Sequence, residues 1–322
     1  MQETRPLSCS YPTEGRISLP FLYCLFFATS FVGNIFIVII VLNTKSMRKP
    51  NNFFIVNMAM SDLLYSVIVF TRNLAMLYFD SWLTGDGLGE ALCKLLPFFS
   101  NVAIYVSTQS VVLIAVDRFG AVVFPLRSPL ISLKMCRIFI PSTWIAAMIL
   151  QTPNLFYRKL VTYPGMIACK WEWTKTVGGL PSIKNYTLGQ FILFFYFPLV
   201  LITILYMIII FRLKSQKFPG EQSVNARERS ARERNVLKMS FAIVLAFVLC
   251  WIPFSIYWAL LLLSSNSTMK SSCGFKFFSI IAFLLVLAYG AINPWICFIF
   301  CRQYRQGLKN LFSCCLPGRP LG

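Results

Sequence analysis

Residues 95–118, LLPFFSNVAIYVSTQSVVLIAVDR, decide the fold of this chain, because they hold no charged side chain before the final pair of Asp117 and Arg118. A helix of about 20 mainly apolar residues crosses the hydrocarbon core of a bilayer. The whole composition agrees, since 57% of the 322 residues are hydrophobic and 13% are charged, whereas soluble domains are about one quarter charged. The stretch therefore predicts a transmembrane helix in a membrane protein.

Six further apolar runs of similar length lie on either side of this helix, and short connections join them. The fold class that they predict is an all-α membrane protein, a bundle of seven transmembrane helices over residues 19–300. A polar tail, residues 1–18, lacks the apolar core of a cleaved signal peptide, so the first span is expected to act as the targeting signal. The predicted spans are residues 19–42, 53–79, 92–122, 136–156, 187–212, 236–263 and 277–300.

The composition disfavours two large classes of function. The chain has no histidine, the residue that most often serves as a general base or a metal ligand, and no two carboxylates have a spacing suited to acid–base catalysis. We therefore expect that the protein is not an enzyme. The net charge of +19 is spread between the apolar runs, which predicts a basic surface on the inner side of the membrane and no nucleic-acid partner.

The distribution of basic residues predicts the orientation of the bundle. Of the 30 Lys and Arg residues, 19 lie in the connections and the tail on one side of the membrane. This excess marks the cytoplasmic side and leaves the N-terminus outside. The two glycosylation sequons, at Asn185 and Asn266, fall in connections that this topology places outside, where we expect both to be glycosylated.

The same topology divides the 11 cysteines between an oxidising side, the membrane and a reducing side. Four of them, Cys9, Cys93, Cys169 and Cys273, are expected outside, and four cysteines allow three pairings. A Cys93–Cys169 disulfide would hold the longest outer loop over the mouth of the bundle. Cys9 and Cys273 would then join the N-terminal tail to the last outer loop, with a free Cys9 as the alternative.

Residues 301–322 predict a cytoplasmic segment bound to the membrane surface. The run RQYRQGLKNLF is amphipathic and would lie as a short helix on the inner leaflet. Cys314 and Cys315 follow it directly and are expected to be palmitoylated. Their acyl chains would anchor the segment among the membrane lipids.

Four polar residues lie at one depth in the membrane. At about 1.5 Å of rise per residue, Asn34, Asp62, Ser107 and Asn293 all fall roughly 13–17 Å from the inner surface. We interpret them as one polar cluster around Asp62, which would either be protonated or hold a cation. A purely structural hydrogen-bond network is the alternative, and a conducting ion pathway is disfavoured because one acid makes a poor relay.

A second polar group is predicted at the cytoplasmic mouth. Cys93 and Arg118 lie on one helix about 38 Å apart, so Arg118 is at the inner end when Cys93 is at the outer end. Glu233 precedes Trp251 of the sixth span by 18 residues, which puts it at the same inner level. A contact between Arg118 and Glu233 would join the third helix to the sixth, and its opening would act as a switch.

Motifs in all seven spans resemble those of the rhodopsin-like, class A, G-protein-coupled receptors, and the resemblance covers nearly the whole chain. Seven matches in the same order and at the same spacing make it specific. They are GNIFIV with Asn34 in the first span, NMAMSDLL with Asp62 in the second, DRF at the end of the third, Trp144 in the fourth, FYFPLVLITILY with Pro198 and Tyr206 in the fifth, FVLCWIPF with Phe247, Trp251 and Pro253 in the sixth, and NPWIC in the seventh.

The resemblance implies a receptor in the plasma membrane that binds an extracellular ligand in the outer half of the bundle. Outward movement of the sixth helix would activate a heterotrimeric G protein, and arrestin is a further candidate partner. Asp62, Ser107 and Asn293 match the family's allosteric sodium site, which is the only metal or cofactor implied. The positions that match its activation switch are Asp117, Arg118, Glu233, Tyr206, Pro198, Phe247, Trp251, Pro253 and Pro294.

Three residues depart from the family's pattern. Cys297 stands where the family has a tyrosine that contacts Tyr206 in the active state, so that contact cannot form in the usual way. Thr108 replaces a bulky aliphatic residue, and Phe119 replaces the tyrosine of the commonest triplet. The change at Cys297 bears most on how strongly the chain couples to a G protein.

The same resemblance narrows the class of ligand. Amine receptors carry an aspartate where this chain has Ser100, and opsins need a lysine that the stretch FFSIIAFLLVLAYG lacks. The outer loop LVTYPGMIACKWEW has two β-prone runs around a Pro-Gly turn, which predicts a β-hairpin in the second extracellular loop. The chain looks most like the tachykinin, neuropeptide Y and RFamide-like group, so a neuropeptide is the expected ligand.

Seven residues of the outer half are the candidate contacts for such a ligand. Arg72 would bind a peptide carboxylate or carbonyl, although it could equally reach to the interface or pair with a local acid. The outer loop between Arg158 and Lys184 carries five basic residues and only Glu172 as an acid, which would attract an acidic ligand segment. The candidates are Arg72, Ser100, Asn101, Gln190, Trp251, Phe254 and Trp258.

Two other functions stay open. A class A receptor for a lipid or other small molecule is compatible with the second span, which lacks a proline common in peptide receptors. A channel or transporter has less support, because the chain shows no inverted repeats with broken helices.

Overall fold

Among the residues that a computed structural model of the chain describes, seven helical segments are long and apolar enough to cross a membrane, as the sequence predicts. The structure describes residues 13–79, 82–124, 129–163, 166–171, 183–215, 224–264, 269 and 272–314. Its α-helices are α1 (Thr13–Asn43), α2 (Pro50–Phe79), α3 (Gly87–Val123), α4 (Leu133–Gln151), α5 (Asn154–Tyr157), α6 (Ile183–Phe191), α7 (Phe197–Ser215), α8 (Val224–Leu263), α9 (Cys273–Phe300) and α10 (Arg302–Cys314).

Several of these helices extend beyond the apolar runs from which they were predicted, whereas α4 ends at Gln151, before the predicted end of its span at residue 156. α8 begins at Val224, although its apolar run begins at residue 236. The segment between, ARERSARERN, is rich in Ala, Arg and Glu, which are strong helix formers. The helix therefore continues past the end of its apolar run. The length of an apolar run predicts only the part of a helix that lies in the hydrocarbon core.

The fifth membrane crossing is not one continuous α-helix. A π-helical turn, Ile192–Tyr196, joins α6 to α7 just before Pro198. Because proline has no backbone N–H, the carbonyl of Phe194 loses its usual donor, and a wider turn accommodates the change. As a result two consecutive side chains, Phe194 and Phe195, are both buried, whereas neighbours on a regular helix point about 100° apart.

A proline in α9 determines how the first and last crossings meet. Pro294 cannot donate to the carbonyl of Gly290 four residues earlier, and Asn34 Nδ2 of α1 donates to that oxygen instead, at 3.0 Å. Gly33 permits the close approach, because a Cβ there would lie 2.7 Å from Pro294 Cβ. A carbonyl that the backbone of α9 leaves open thus joins α9 to α1.

α3 packs against α2, α4, α7 and α8. A buried asparagine of α2 joins three of these helices, since Asn57 Nδ2 donates to Ser110 Oγ of α3 at 2.9 Å and to Thr143 Oγ1 of α4 at 3.3 Å. Trp144 Nε1 of α4 in turn donates to Asn57 Oδ1 at 2.9 Å. Polar groups at membrane depth need partners within the protein, so this cluster fixes the relative positions of α2, α3 and α4.

The predicted hairpin is present as two antiparallel strands, β1 (Arg158–Tyr163) and β2 (Met166–Trp171). A disulfide between Cys93 at the start of α3 and Cys169 of β2 ties the hairpin to the bundle, as predicted. We call this side of the molecule the hairpin end. Cys273 is also disulfide-bonded, while Cys9, its predicted partner, lies outside the described residues.

The short amphipathic helix predicted at the C-terminus is α10. Its Tyr304 is buried and donates to Asn52 Oδ1 of α2 at 3.3 Å, while Gly307 lets α10 lie close to Ile40 of α1. Arg305 donates to the last carbonyls of α9. α10 is therefore fixed across the end of the bundle opposite the hairpin, which we call the α10 end.

Candidate functional site

A cavity of about 360 Å³ lies inside the bundle towards the hairpin end. α2, α3, β1, α6, the π-helical turn, α8 and α9 each contribute to its wall. The seven candidate ligand contacts come together there, since each of them lines the cavity: Arg72, Ser100, Asn101, Gln190, Trp251, Phe254 and Trp258.

One face of α3 lines this cavity. Pro97, Asn101, Ile104 and Thr108 line it at spacings of three and four residues, the repeat that places side chains on one helix face. Tyr105 also lines it and was not singled out from the sequence. Tyr105 follows Asn101 by four residues, and this helical spacing would have predicted that Tyr105 lines the same cavity.

Tyr105 connects the α3 face to the fifth crossing. Its hydroxyl donates to Gln190 Oε1 of α6 at 2.6 Å, and Gln190 Nε2 donates to the Leu150 carbonyl of α4 at 3.2 Å. The Tyr105 ring stacks on Phe194 of the π-helical turn, with 3.9 Å between ring centroids. Gln190, a candidate ligand contact, is therefore already oriented by α3 and α4.

Aromatic side chains form the floor of the cavity. Trp251 is buried and lies 5.6 Å from Phe254 on the cavity side, as measured between ring centroids. Trp251 also lies 5.7 Å from Phe247, which does not line the cavity, and 6.4 Å from Phe195, which does. Phe247 is fully buried, and its ring centroid lies 5.8 Å from that of Tyr289 of α9. A displacement of Trp251 towards Phe247 or Phe195 would move their rings, because the side chains are packed against one another.

Four buried polar atoms facing this cavity have no hydrogen-bond partner within the described part of the chain. They are Arg72 Nε, Ser100 Oγ, Thr187 Oγ1 and Trp251 Nε1. Buried polar groups are nearly always hydrogen-bonded in native proteins. Their concentration around one cavity is what a binding site for a partly polar ligand requires.

Below this floor lies the predicted polar cluster around Asp62. Ser107 Oγ donates to Asp62 Oδ1 and Asn293 Nδ2 donates to Asp62 Oδ2, both at 2.8 Å. Asn293 Oδ1 is buried with no hydrogen-bond partner among the described residues. The carboxylate, the hydroxyl and this amide oxygen are the hard ligands that a small cation prefers, so the residues fit a sodium ion. Asn34 differs from the expectation, since its amide donates to Gly290 and Ser30 instead of Asp62.

At the α10 end, Arg118 forms an ion pair with the adjacent Asp117. Glu233 belongs to α8, but its side chain lies outside the described residues, so the predicted contact with Arg118 stays a prediction. The Tyr206 hydroxyl is buried and makes no hydrogen bond within the described part of the chain. Cys297, which stands where the family's tyrosine would be, is fully buried.

The remaining switch positions are divided among three helices. Pro198 follows the π-helical turn, Pro253 lies inside α8 and Pro294 lies inside α9. Thr108 is one of the departures from the family's pattern. Its hydroxyl donates a hydrogen bond to the Ile104 carbonyl of its own helix at 3.0 Å. Phe119 meets Phe124 edge to face.

The predicted modification sites are only partly described. Asn185 lies exposed near the start of α6, whereas Asn266 is outside the described residues. Cys314 is the last residue of α10, and neither its side chain nor Cys315 is described. Glycosylation and palmitoylation therefore stay predictions.

Comparison with known proteins agrees with this architecture. The family model described as 7 transmembrane receptor (rhodopsin family) matches residues 33–297. The Substance-P receptors of Cavia porcellus and Homo sapiens are each 28% identical over 293 residues, which make up 91% of this chain and 70% of each receptor. The Neuromedin-K receptor of Rattus norvegicus is 30% identical over 298 residues, 91% of this chain and 63% of that receptor. The chain therefore belongs to the rhodopsin family of seven-transmembrane receptors, which are receptors and not enzymes.

Proposed function

We propose that this protein is a peptide-activated G-protein-coupled receptor of the plasma membrane, with its N-terminus and the hairpin end outside the cell. The cavity above Trp251 carries this proposal, because it combines an aromatic wall with several buried polar atoms that have no partner in the described chain. The similarity to Substance-P and Neuromedin-K receptors supports a peptide as the ligand class.

A ligand in the cavity acts first on its floor. It contacts Phe254 and Trp251, and the packing of Trp251 against Phe247 and Phe195 passes a displacement to the middle of the bundle. Pro253 removes one backbone hydrogen bond from α8 at this level, so α8 bends there more easily than elsewhere. The ligand favours the arrangement in which the far end of α8 moves outward, because it binds that arrangement more tightly.

At the α10 end, the outward movement of α8 opens a cleft beside Arg118. The Asp117–Arg118 ion pair holds the guanidinium in the resting arrangement, and a contact with Glu233 would add to it. In the active arrangement Arg118 turns into the cleft and contacts the G protein. Cys297 cannot supply the hydrogen bond that a tyrosine would give to Tyr206, so this receptor stabilises its active state with one polar contact fewer.

The cluster around Asp62 acts as the allosteric site for sodium. The Asp62 carboxylate and the oxygens of Ser107 and Asn293 would hold the ion, whose positive charge would balance the buried carboxylate in the resting arrangement. Movement of α9 during activation separates these oxygens. Residues arranged in this way would couple the two sites, so that agonist affinity would fall when the ion is held and rise when it is released.

A receptor for a lipid or other small molecule is the second candidate. The cavity favours it through its size, because about 360 Å³ lies near the lower end of the roughly 300–1,000 Å³ typical of small-molecule pockets. A peptide would place only its terminal residues there and would contact the hairpin with the rest.

The test uses cells that express the full chain and a G protein whose nucleotide exchange is measured. The stimuli are synthetic substance P, neuromedin K, and tissue peptide fractions before and after protease treatment. We expect a protease-sensitive fraction to activate exchange in wild type and not in Arg118→Ala at equal surface expression. Activation by an organic extract that resists protease would replace the peptide with a lipid, and activation that survives in Arg118→Ala would contradict the mechanism.

A further inference from the structure

Basic side chains form a stripe along one side of α10. Arg302, Arg305 and Lys309 follow one another at spacings of three and four residues, which places them on the same side of a helix. All three side chains are exposed. Tyr304 and Gly307 of the same helix are buried instead, because they pack against the bundle. The stripe therefore lies on the outer surface of the α10 end.

Two more cations lie in the short turn between α1 and α2. Lys45 and Arg48 are both exposed there. Two hydrogen bonds link this turn to α10, since Tyr304 donates to Asn52 Oδ1 at 3.3 Å and Asn52 Nδ2 donates to the Met47 carbonyl at 2.7 Å. The cations of the turn and of the helix thus flank one hydrogen-bonded contact. We call them together the basic surface: Lys45, Arg48, Arg302, Arg305 and Lys309.

Two arginines of the basic surface lie where the membrane crossings end. Arg48 donates to the Leu42 carbonyl of α1 at 2.8 Å, and Arg305 donates to the Ile299 carbonyl of α9 at 2.6 Å. The side chains of Leu42 and Ile299 are 47% and 65% exposed, so in a bilayer they contact lipid. Both guanidinium groups therefore lie at the level of the lipid headgroups. A guanidinium has five N–H groups, so these bonds leave others for a ligand.

The basic surface has no acid of its own to balance it. Neither of the ion pairs formed within the described part of the chain includes any of its cations. The sequence holds no Asp or Glu in residues 43–61 or 272–314, the segments that supply the turn, α9 and α10. The surface therefore offers several positive charges to an anionic partner at the membrane.

We infer that the basic surface binds the headgroup of a phosphoinositide, a lipid that carries several phosphate groups. Clusters of about four to eight Lys and Arg beside a membrane helix are typical of sites for such lipids. The number of cations favours this class, because the single net charge of a phosphatidylserine headgroup would leave most of them unmatched. Arginine forks also match the oxygens of a phosphate.

The position of the arginines favours a lipid over a free inositol phosphate. Arg48 and Arg305 are bonded to backbone carbonyls of residues whose side chains contact lipid, so a phosphate bound there would lie at the depth of a headgroup. The inference goes beyond the proposed function and takes from it only the orientation, which places the α10 end at the inner leaflet, where anionic lipids are concentrated.

Direct binding to the purified full chain in detergent micelles tests the site, because both ends of the molecule are then accessible and no G protein is needed. Native mass spectrometry gives dissociation constants for short-chain forms of phosphatidylinositol bisphosphate, phosphatidylinositol and phosphatidylserine. Inositol trisphosphate is a fourth probe, which carries phosphates without acyl chains. One cation near a headgroup contributes roughly a fivefold gain in affinity. We expect the bisphosphate to bind roughly tenfold or more tightly than each of the other three.

Variants assign this preference to the basic surface. Arg302→Gln and Lys309→Gln should each weaken binding of the bisphosphate roughly fivefold, and Arg302→Lys, which keeps the charge but loses the fork, should weaken it less. Both positions are exposed, so we expect an unchanged Tm in these variants. Lys134→Gln is the matched control, because Lys134 is an exposed cation in the first turn of α4, at the same end of the molecule but outside the basic surface.

Each outcome decides one part of the inference. Equal affinities for the bisphosphate and phosphatidylserine would overturn the phosphoinositide assignment, and inositol trisphosphate bound as tightly as the bisphosphate would overturn the lipid as its source. A loss of affinity in Lys134→Gln as large as that in Arg302→Gln would show a general attraction to the basic end of the molecule and would overturn the site. Unchanged affinity in both Arg302→Gln and Lys309→Gln would overturn it as well.

The lipid site and the proposed function fail independently. A chain that prefers the bisphosphate but activates no G protein would keep the site and contradict the receptor proposal. A chain that responds to a peptide fraction but binds all four probes alike would do the reverse.

Discussion

Asn57→Ala is expected to loosen the contact between α2, α3 and α4 more than any neighbouring change. The alanine removes the hydrogen bonds to Ser110 and Thr143 and leaves Trp144 Nε1 without its acceptor. Hydrogen bonds between membrane helices are worth about 0.6 kcal/mol each on average, and a buried donor left unpaired costs about 1–3 kcal/mol. We therefore expect a loss of roughly 2–3 kcal/mol in the free energy of unfolding.

Thermal unfolding of the purified protein in nanodiscs measures this loss. For a chain of 322 residues it corresponds to a decrease of roughly 3–5 °C in Tm. Thr143→Val removes only the longest of the three hydrogen bonds, at 3.3 Å, and should cost much less. Ser142→Ala is the control, because Ser142 is exposed and bonds only within its own helix. If Asn57→Ala lowered Tm no more than Ser142→Ala, the cluster would not hold the three helices together.

Three further perturbations test other parts of the structure. In Gly33→Leu the new Cβ would lie 2.7 Å from Pro294 Cβ. We therefore expect a loss of about 1–3 kcal/mol in the free energy of unfolding and reduced surface expression by flow cytometry. Normal expression would contradict this packing. Cys93→Ser opens the bond to Cys169, which spans 76 residues, and should cost about 4 kcal/mol in the chain-entropy model, measured as a fall in Tm. Asp62→Asn should remove the effect of sodium on agonist affinity in a salt titration, and equal responses of both proteins would reject the cation site.

The crossings follow from the sequence because the bilayer sets strong local rules. A span must be apolar over about 20 residues, so its position can be counted without knowing its neighbours. The faces of α3 and α8 follow as well, since residues such as Asn101 and Trp251 sit at helical spacings that only one face can satisfy. These rules involve one helix at a time.

Features that depend on two elements together could not be read in this way. The sequence shows that Arg158 is charged, but the direction of its side chain depends on the turn of α5 and on the pairing of β1 with β2. The partner of Asn34 depends on a carbonyl left open by Pro294 in the last crossing. The π-helical turn arises from the backbone near Pro198 and leaves the hydrophobicity of the fifth span unchanged. Depth in the membrane predicts which residues lie in the same layer. It does not predict which of them form hydrogen bonds with each other.

Occupation of the cavity above Trp251 is the event that we expect to drive G-protein activation. The most direct measurement is peptide-stimulated nucleotide exchange by the wild type and by Asn101→Trp, which fills the cavity from α3. Phe99→Trp is the matched control, because it enlarges an exposed side chain two residues away. At equal surface expression, we predict that Asn101→Trp loses the response and that Phe99→Trp keeps it. An undiminished response in Asn101→Trp would contradict the assignment of this cavity as the ligand site.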